Sequence, residues 1–209
     1  MSYFPLFMDM DNKPALIIGG GNTALRKAKV LLSFGAYVKA ISPEFIPEFY
    51  TLAQNSDKLT LINRHFTPMD IDGIFIAVSA TDDRNVNKTV STLCQNKNIP
   101  VNVVDDISLC TFIFPAVIKE EDVVIGISSG GKSPVLTQYV KEEIKAVLPS
   151  SIGEINTKLG EIRTSIINSY PPSERKEMFE QILSCLLTDN NLTAEEIAAQ
   201  LKKDSDINA

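Results

Sequence analysis

The sequence predicts an α/β protein with a Rossmann-type parallel sheet that has helices on both faces. Three observations predict this fold. Short apolar runs alternate with stretches of helical spacing through the first half of the chain, which is the pattern of βαβ units. The run 73–78 is apolar throughout, as in a strand that is covered on both faces. A turn of three glycines, 19–21, joins the first apolar run directly to the first helix.

Five strands and three helices account for the residues up to about 104. The predicted strands are 14–18, 37–41, 59–62, 73–78 and 101–104, and the predicted helices are 22–34, 42–54 and 82–96. In the first helix, the apolar residues Ala24, Ala28 and Leu31 recur at helical spacing. Gly35 follows this helix and is suited to end it.

Beyond residue 105 the pattern changes to a small α+β segment and then to helices. The apolar runs 112–118 and 123–127 are predicted strands joined by a charged turn. A helix then starts at Ser133 and Pro134, where a hydroxyl N-cap is followed by proline in the first helical position. From residue 150 onward the apolar spacing is helical. The predicted domains are 1–113 for dinucleotide binding, 114–149 for the α+β segment, and 150–209 for a helical C-terminal domain.

Composition and charge exclude several classes of protein. The chain has 209 residues, of which 44% are hydrophobic, and its net charge is −6. This acidic balance argues against binding to nucleic acid or to an anionic membrane, which normally requires a basic face. No apolar run approaches the ~20 residues that span a bilayer, and the N-terminus lacks the features of a signal peptide, so a cytoplasmic protein is expected. His65 is the only histidine, and the three cysteines are isolated, so neither a three-histidine metal site nor a zinc or disulfide framework is indicated.

The glycine turn fits the dinucleotide-binding pattern G-x-G-x-x-[GA], and it lies between a strand and a helix as that pattern requires. Gly19 would allow the sharp turn, and Gly21, without a Cβ, would let a pyrophosphate approach the backbone. Ala24 would let the helix pack closely on the strand. The helix N-terminus would then present free N–H groups to the phosphates. A purely structural turn is the alternative reading of the same residues.

The end of the second strand bears on the choice of cofactor. Rossmann domains usually place an acidic residue there to bind the ribose hydroxyls. Here Glu44 or Ser42 could do so, although Glu44 is equally a normal carboxylate of a helix's first turn. NAD is favoured over NADP because no arginine stands there to bind a 2′-phosphate.

Polar residues also follow the fourth and fifth strands, where ligands of such sheets bind. Thr81 and Asp82 could contact the cofactor or could simply cap the next helix. Asp105 and Asp106 could take the proton that accompanies hydride removal, or attract a metal cation, or serve only as turn residues.

Several segments together carry a family resemblance. They are 3–7 (YFPLF), 19–27 (GGGNTALRK), 80–83 (ATDD), 102–105 (NVVD), 112–116 (FIFPA) and 127–136 (ISSGGKSPVL). In this order and spacing they resemble the precorrin-2 dehydrogenase family, which includes the N-terminal half of bifunctional siroheme synthase. The resemblance covers about residues 3–149.

The resemblance implies an NAD-dependent oxidation of precorrin-2 to sirohydrochlorin, with ferrous iron insertion to give siroheme in some relatives. A ferrous or cobalt ion would then be a further substrate. It also implies a homodimer in which 114–149 is the dimerisation segment. The family's cofactor contacts carry over onto Asn22, Thr23, Pro43 and Glu44, its key carboxylate and transient metal contact onto Asp105, and a serine near the active site onto Ser129. The hydroxyls of Ser128 and Ser129 are candidates to bind the carboxylates of the substrate. The competing hypothesis is a regulatory NAD-sensing module without tetrapyrrole chemistry.

Overall fold

The structure, a computed structural model, describes residues 3–189, 191–193 and 196–197. The chain divides into two compact units. Unit 1 comprises the described residues up to Pro115 together with Ser128–Pro134, and unit 2 comprises Ala116–Ile127 and the described residues from Val135 onward. The predicted three-part division at 113 and 149 stays a prediction, and residues 190, 194–195 and 198–209 of its last segment lie outside the described residues.

Unit 1 is built on a five-stranded parallel sheet with the order β3-β2-β1-β4-β5, which confirms the predicted Rossmann-like architecture. Its elements are β1 Pro14–Ile18, α1 Asn22–Ser33, β2 Tyr37–Ser42, α2 Pro47–Gln54, β3 Leu59–Asn63, β4 Ile76–Ser79, α3 Arg84–Asn96 and β5 Val101–Val103. The strand order reverses between β1 and β4, and parallel sheets bind ligands at the carboxyl end of such a reversal.

The two faces of this sheet bury separate apolar clusters because side chains alternate along each strand. In β1, Ala15 and Ile17 face one cluster, which includes apolar residues of α1 and α2. Leu16 and Ile18 face the other cluster, which includes Val90 and Cys94 of α3. Helices therefore cover both faces, and the apolar character of the strands has a direct packing reason.

Several element boundaries differ from the prediction. The second helix begins at Pro47 and not at Ser42, because Ser42 is the last residue of β2 and residues 43–46 form a loop whose Ile46 N–H donates to O of Gly20 at 3.0 Å. The strand predicted at 112–118 lies at Ala116–Glu120 instead. Phe112 and Phe114 pack against the first apolar cluster of unit 1, so burial of these rings explains the apolar run.

Unit 2 contains an antiparallel hairpin and helices. The hairpin is formed by β6 Ala116–Glu120 and β7 Val123–Ile127, and the helices are α4 Pro134–Val147, whose first residue belongs to unit 1, α5 Ile152–Ser169 and α6 Pro172–Thr188. Ile155 and Ile162 of α5 pack with Ile182 and Leu186 of α6. None of the helices within the described residues is both long enough and apolar enough to cross a membrane.

Candidate functional site

The glycine turn follows β1 directly and is held against the ends of two neighbouring strands. Gly19 has a φ of +124°, and its N–H donates to O of Ile41 in β2 at 2.9 Å. A Cβ on Gly19 would stand 2.2 Å from O of Ala80, which follows β4. A side chain is therefore excluded by both the backbone conformation and the neighbouring backbone.

Gly20 is as tightly enclosed as Gly19, and the sequence analysis gave it no role. A Cβ at Gly20 would lie 1.9 Å from O of Glu44. The carbonyl of Gly20 also accepts the hydrogen bond from the Ile46 N–H, so the turn and the loop 43–46 are packed together. The dinucleotide pattern accepts any residue at this position. A glycine there was therefore a sign, in the sequence, of a separate structural requirement at Gly20.

Gly21 differs from both, because a Cβ built on it would meet no atom within 4 Å. It is the N-cap residue of α1, and no side chain caps that helix terminus. The first turn of α1 contains no acidic residue. Asn22 is exposed and Thr23 is half-buried, with its hydroxyl accepting a hydrogen bond from Arg26 at 3.3 Å. The helix N-terminus at Gly21 thus offers N–H groups and an open approach to an anion.

The loop after β2 brings Ser42, Pro43 and Glu44 alongside the glycine turn. Ser42 is buried, whereas Pro43 and Glu44 are exposed. Thus Glu44 contacts Gly20 through its carbonyl while its carboxylate remains accessible.

An arginine follows the adjacent strand β3, in which Asn63 pairs with Ser42. This Arg64 makes two hydrogen bonds to the buried carboxylate of Asp70, at 2.6 and 2.8 Å. Those bonds hold the pKa of Asp70 far below its usual range, although burial opposes the shift. The guanidinium is therefore engaged within the fold.

At the end of β4 the helix cap is Asp83, and not Thr81 or Asp82. The Asp83 carboxylate accepts hydrogen bonds from the Asn85 N–H at 2.8 Å and the Val86 N–H at 3.2 Å. The Thr81 hydroxyl accepts a bond from the Asp83 N–H at 3.2 Å, and Asp82 is exposed. The capping alternative for Asp82 is therefore wrong, because the cap lies one residue later.

A buried polar pair supports this strand end and was missed by the sequence analysis. Ser79 donates to Oδ1 of Asn87 at 2.6 Å, and Nδ2 of Asn87 donates to O of Thr81 at 2.9 Å. Both side chains are buried, so the α3 amide fixes the backbone of residues 79–81. An asparagine inside the predicted helix 82–96 was the only signal for it in the sequence.

The two carboxylates after β5 have different surroundings. Asp106 accepts hydrogen bonds from the Ser108 N–H at 3.1 Å and the Ser108 hydroxyl at 2.6 Å, which is the role of a turn residue. Asp105 is exposed and has a φ of +62°. It lies between Val103 and Asp106, whose backbones close a turn through a 3.5 Å hydrogen bond. Both residues are exposed, but the carboxylate of Asp106 is engaged by Ser108 within the turn, which leaves Asp105 as the better candidate to contact a ligand.

The serine-glycine loop 128–134 belongs to the same unit as Asp105. The Ser129 hydroxyl closes this loop by donating to O of Ser133 at 2.9 Å and accepting from the Ser133 N–H at 3.0 Å. Ser128 is exposed, and its hydroxyl accepts from the Gly130 N–H at 3.1 Å. A Cβ on Gly131 would collide with the side chain of Ile107, so the loop packs directly on the segment that follows Asp105.

A lysine on α1 has an unusual environment near these segments. Its ammonium, on Lys27, lies 4.0 Å from the centre of the Phe114 ring. Burial, followed by the nearby charge of Arg26, lowers the pKa of Lys27 to about 8. The aromatic face compensates part of the lost hydration of this cation.

These strand ends are joined by backbone contacts along one edge of the sheet. The Ala80 N–H donates to O of Ile18 at 2.7 Å, and the Val104 N–H donates to O of Ser79 at 2.9 Å. The glycine turn, the loop after β2, residues 80–83 and Asp105 therefore share the carboxyl edge of the sheet at the strand reversal, where such sheets form a ligand-binding crevice. Among the described residues, no group of three or more His, Cys, Asp or Glu side chains is arranged to hold a metal ion.

Comparisons with known proteins agree with this geometry. A family model described as putative NAD(P)-binding matches residues 6–116, and one described as the central part of a sirohaem biosynthesis protein matches residues 125–146. The siroheme synthase of Pseudoalteromonas translucida is 34% identical over 210 residues, covering 100% of this chain and 44% of that protein. The siroheme synthase of a Psychrobacter species is 38% identical over 179 residues, covering 86% of this chain and 37% of that protein. The chain thus spans less than half the length of these relatives.

A solved structure shares the fold over nearly the full chain. It is SirC, a precorrin-2 dehydrogenase, with a TM-score of 0.79 and 24% identity, covering 96% of this chain and 100% of that one. These findings confirm the resemblance to the N-terminal half of siroheme synthase that the motifs indicated. The roles of the individual site residues stay predictions.

Proposed function

Because the chain belongs to the putative NAD(P)-binding family, we propose that it oxidises precorrin-2 to sirohydrochlorin with NAD as the hydride acceptor. The observation that carries the proposal is Gly21, which faces open space at an uncapped helix N-terminus beside a strand reversal. The substrate class is suggested by the siroheme synthases that the chain resembles. The solved precorrin-2 dehydrogenase, which shares the fold, agrees with this choice.

The residues around the crevice fit a dinucleotide. N–H groups of Asn22 and Thr23 in the first turn of α1 would bind the pyrophosphate, because their donors have no partner within the helix. Pro43 and Glu44 would contact the adenosine half, and Thr81 and Asp82 would line the opposite side. The nicotinamide ring, when bound, accepts a hydride.

The end of β2 supports NAD over NADP. The exposed carboxylate of Glu44 would accept hydrogen bonds from ribose hydroxyls and would repel a 2′-phosphate. Arg64 is occupied by the buried carboxylate of Asp70. A 2′-phosphate would therefore meet an anion without a compensating cation from this part of the site.

Asp105 is the proposed base. Oxidation of precorrin-2 removes a hydride and a proton, and the exposed carboxylate of Asp105 would accept that proton and pass it to water. The exposed hydroxyl of Ser128 is available to a substrate carboxylate, whereas the hydroxyl of Ser129 maintains the loop that presents it. Binding of an anionic tetrapyrrole by an acidic protein depends on such local donors.

Metal insertion is the finer part of the proposal. To place ferrous or cobalt ion in sirohydrochlorin, the pyrrole N–H protons must leave the ring. The same carboxylate of Asp105 would accept them, with the metal ion as a substrate. This activity would therefore depend on Asp105 in the same way as the dehydrogenation.

We also propose that the chain forms a homodimer through the segment 114–149. Within this segment α4 has no fully buried residue. Val135, Leu136 and Tyr139 are exposed by 81%, 53% and 60%, and their spacing places them on one helical face. An apolar face of this kind requires a partner surface in solution. Light scattering of the purified protein should give twice the mass of the chain, and a monomer would contradict the proposal.

The deciding experiment is an anaerobic incubation of purified protein with precorrin-2 and NAD, followed by the absorbance of NADH. We expect NADH and sirohydrochlorin in equal amounts. The matched control is Asp105→Asn, because asparagine also tolerates a positive φ and has no proton-accepting carboxylate. This variant should bind NAD normally and lose most of its turnover.

Each part of the proposal has its own contrary result. NAD binding without NADH formation would favour the NAD-sensing module. Normal turnover by Asp105→Asn would remove this residue from the reaction. Equal rates with NAD and NADP would contradict the proposal that Glu44 makes the site prefer NAD. If ferrous iron enters sirohydrochlorin no faster with the protein than without it, the proposal of chelatase activity is wrong.

A further inference from the structure

A sulfur atom connects the two ends of the turn that carries Asp105. Sγ of Cys110 accepts a hydrogen bond from the Val103 N–H at 3.1 Å. The same sulfur lies within donating distance of O of Val103 at 3.2 Å and of O of Asp106 at 3.3 Å. Val103 and Asp106 are the first and last residues of the turn, so the thiol contacts both ends while Asp105 lies between them.

The turn needs this support, because its own stabilisation is weak. Its closing hydrogen bond, from the Asp106 N–H to O of Val103, is 3.5 Å long, which is at the limit for such a bond. Asp105 occupies the third position with a φ of +62°, where glycine or asparagine is normally preferred. Aspartate enters this left-handed region more readily than most residues but still at an energetic cost, so contacts from outside the turn help to hold it there.

The sulfur is itself held in place by neighbours outside the turn. The Ser91 hydroxyl of α3 donates to O of Leu109 at 2.7 Å. The Thr111 N–H donates to O of Val101 at 2.8 Å, and the Thr111 hydroxyl accepts from the Val101 N–H at 2.8 Å. The residues before and after Cys110 are therefore hydrogen-bonded to α3 and β5. These bonds restrict the position of the thiol relative to the turn.

The thiol remains protonated and can donate. Burial raises the pKa of Cys110, the charge of Asp106 acts in the same direction, and the Val103 N–H opposes the shift. An S–H group at neutral pH can therefore donate to one of the two carbonyls while its lone pair accepts from Val103. An alanine at this position would lose all of these contacts.

We propose that Cys110 is a positioning residue for Asp105, whose thiol keeps the 103–106 turn in the conformation that presents the carboxylate to the substrate. The inference rests on the proposed role of Asp105 as the base. It predicts that Cys110 affects the proton-accepting step and leaves cofactor binding unchanged, because the residues proposed to bind the cofactor lie on other strand ends.

The test compares Cys110→Ala and Cys110→Ser with Cys185→Ala, which removes a half-buried thiol in unit 2. For each variant, the kcat, the KM for NAD and the pH dependence of kcat/KM are measured anaerobically with precorrin-2. We expect Cys110→Ala to lower kcat about tenfold, corresponding to ~1.4 kcal/mol, with an unchanged KM for NAD and an altered pH profile. Serine, which also donates and accepts, should recover most of the loss, and Cys185→Ala should behave as wild type.

A double variant separates this inference from the proposed function. If the thiol acts through the carboxylate, Cys110→Ala should cause no further loss when Asp105 is already asparagine. Wild-type kcat and pH profile in Cys110→Ala, or a further loss in the double variant, would overturn the inference. So would a loss that serine does not recover. Normal turnover by Asp105→Asn alone would instead overturn the proposed role of Asp105 as the base. The contacts of Cys110 with the 103–106 turn would then have only a structural role.

Discussion

Replacing Gly21 by alanine tests the proposed cofactor site without disturbing the fold. Gly21 has φ −92° and ψ −176°, an extended conformation that any residue adopts, and a Cβ there would meet no atom within 4 Å. The free energy of unfolding should therefore change by less than about 1 kcal/mol. The new methyl group would occupy the space through which a pyrophosphate reaches the first-turn N–H groups of α1. The loss of one or two hydrogen bonds to a charged group, at about 1.5–3 kcal/mol each, predicts a cofactor affinity at least tenfold weaker.

Gly20→Ala is the matched control, because it adds the same methyl group one residue earlier. Its Cβ would lie 1.9 Å from a backbone oxygen of Glu44, so the loop 43–46 would have to move. A forced rearrangement of this kind costs about 1–3 kcal/mol. At about 2–4 °C per kcal/mol for a chain of this size, the melting temperature should fall measurably. The assays are NADH fluorescence titration and thermal denaturation of both variants. Unchanged NADH affinity in Gly21→Ala would refute the reasoning, whatever Gly20→Ala does.

Two further predictions concern charged groups outside the crevice. Asp70→Asn should destabilise the protein by about 2 kcal/mol in urea unfolding at neutral pH, because the bonds from Arg64 are to a buried carboxylate. The pKa of Asp70 is lowered in the folded state, so its contribution is present at neutral pH, and the difference from wild type should shrink as the pH falls below about 4. An unchanged difference at low pH would show that the carboxylate charge is not the cause. Lys27 has a pKa of about 8 in the folded state, below its ordinary 10.5, so the unfolded chain holds more protons between these values and Lys27 makes stability rise with pH across that window. Lys27→Met should remove that rise while keeping the packing on Phe114, and a stability–pH curve identical to wild type would contradict the assignment.

The alternation of apolar runs was sufficient to predict the sheet, because buried parallel strands are apolar on both faces. The same signal was insufficient at Phe112 and Phe114. An apolar run does not distinguish residues that pair in a sheet from residues whose rings pack beside it, and these two rings do the latter. The helix start predicted at Ser42 was wrong for a related reason. Ser42 ends β2, and the contact that keeps residues 43–46 in a loop comes from Gly20, far away in the sequence.

The candidate site was predictable where a residue's role follows from its own backbone. Gly19 and Gly21 have the positive φ and the open approach, respectively, that the dinucleotide pattern suggests. Roles that depend on a distant partner were not predictable. The thiol of Cys110 acts on backbone atoms of a turn, and the amide of Asn87 acts on Thr81 across the start of a helix. Neither contact leaves a periodic trace in the sequence.

The close packing of Gly20 on the carbonyl of Glu44 has a kinetic consequence. Contacts within the chain itself fix the backbone around the proposed phosphate position, so its ordering entropy is lost during folding and not when a ligand arrives. We therefore expect coenzyme capture to follow a single, concentration-proportional relaxation, without a slow isomerisation of this segment before or after the encounter.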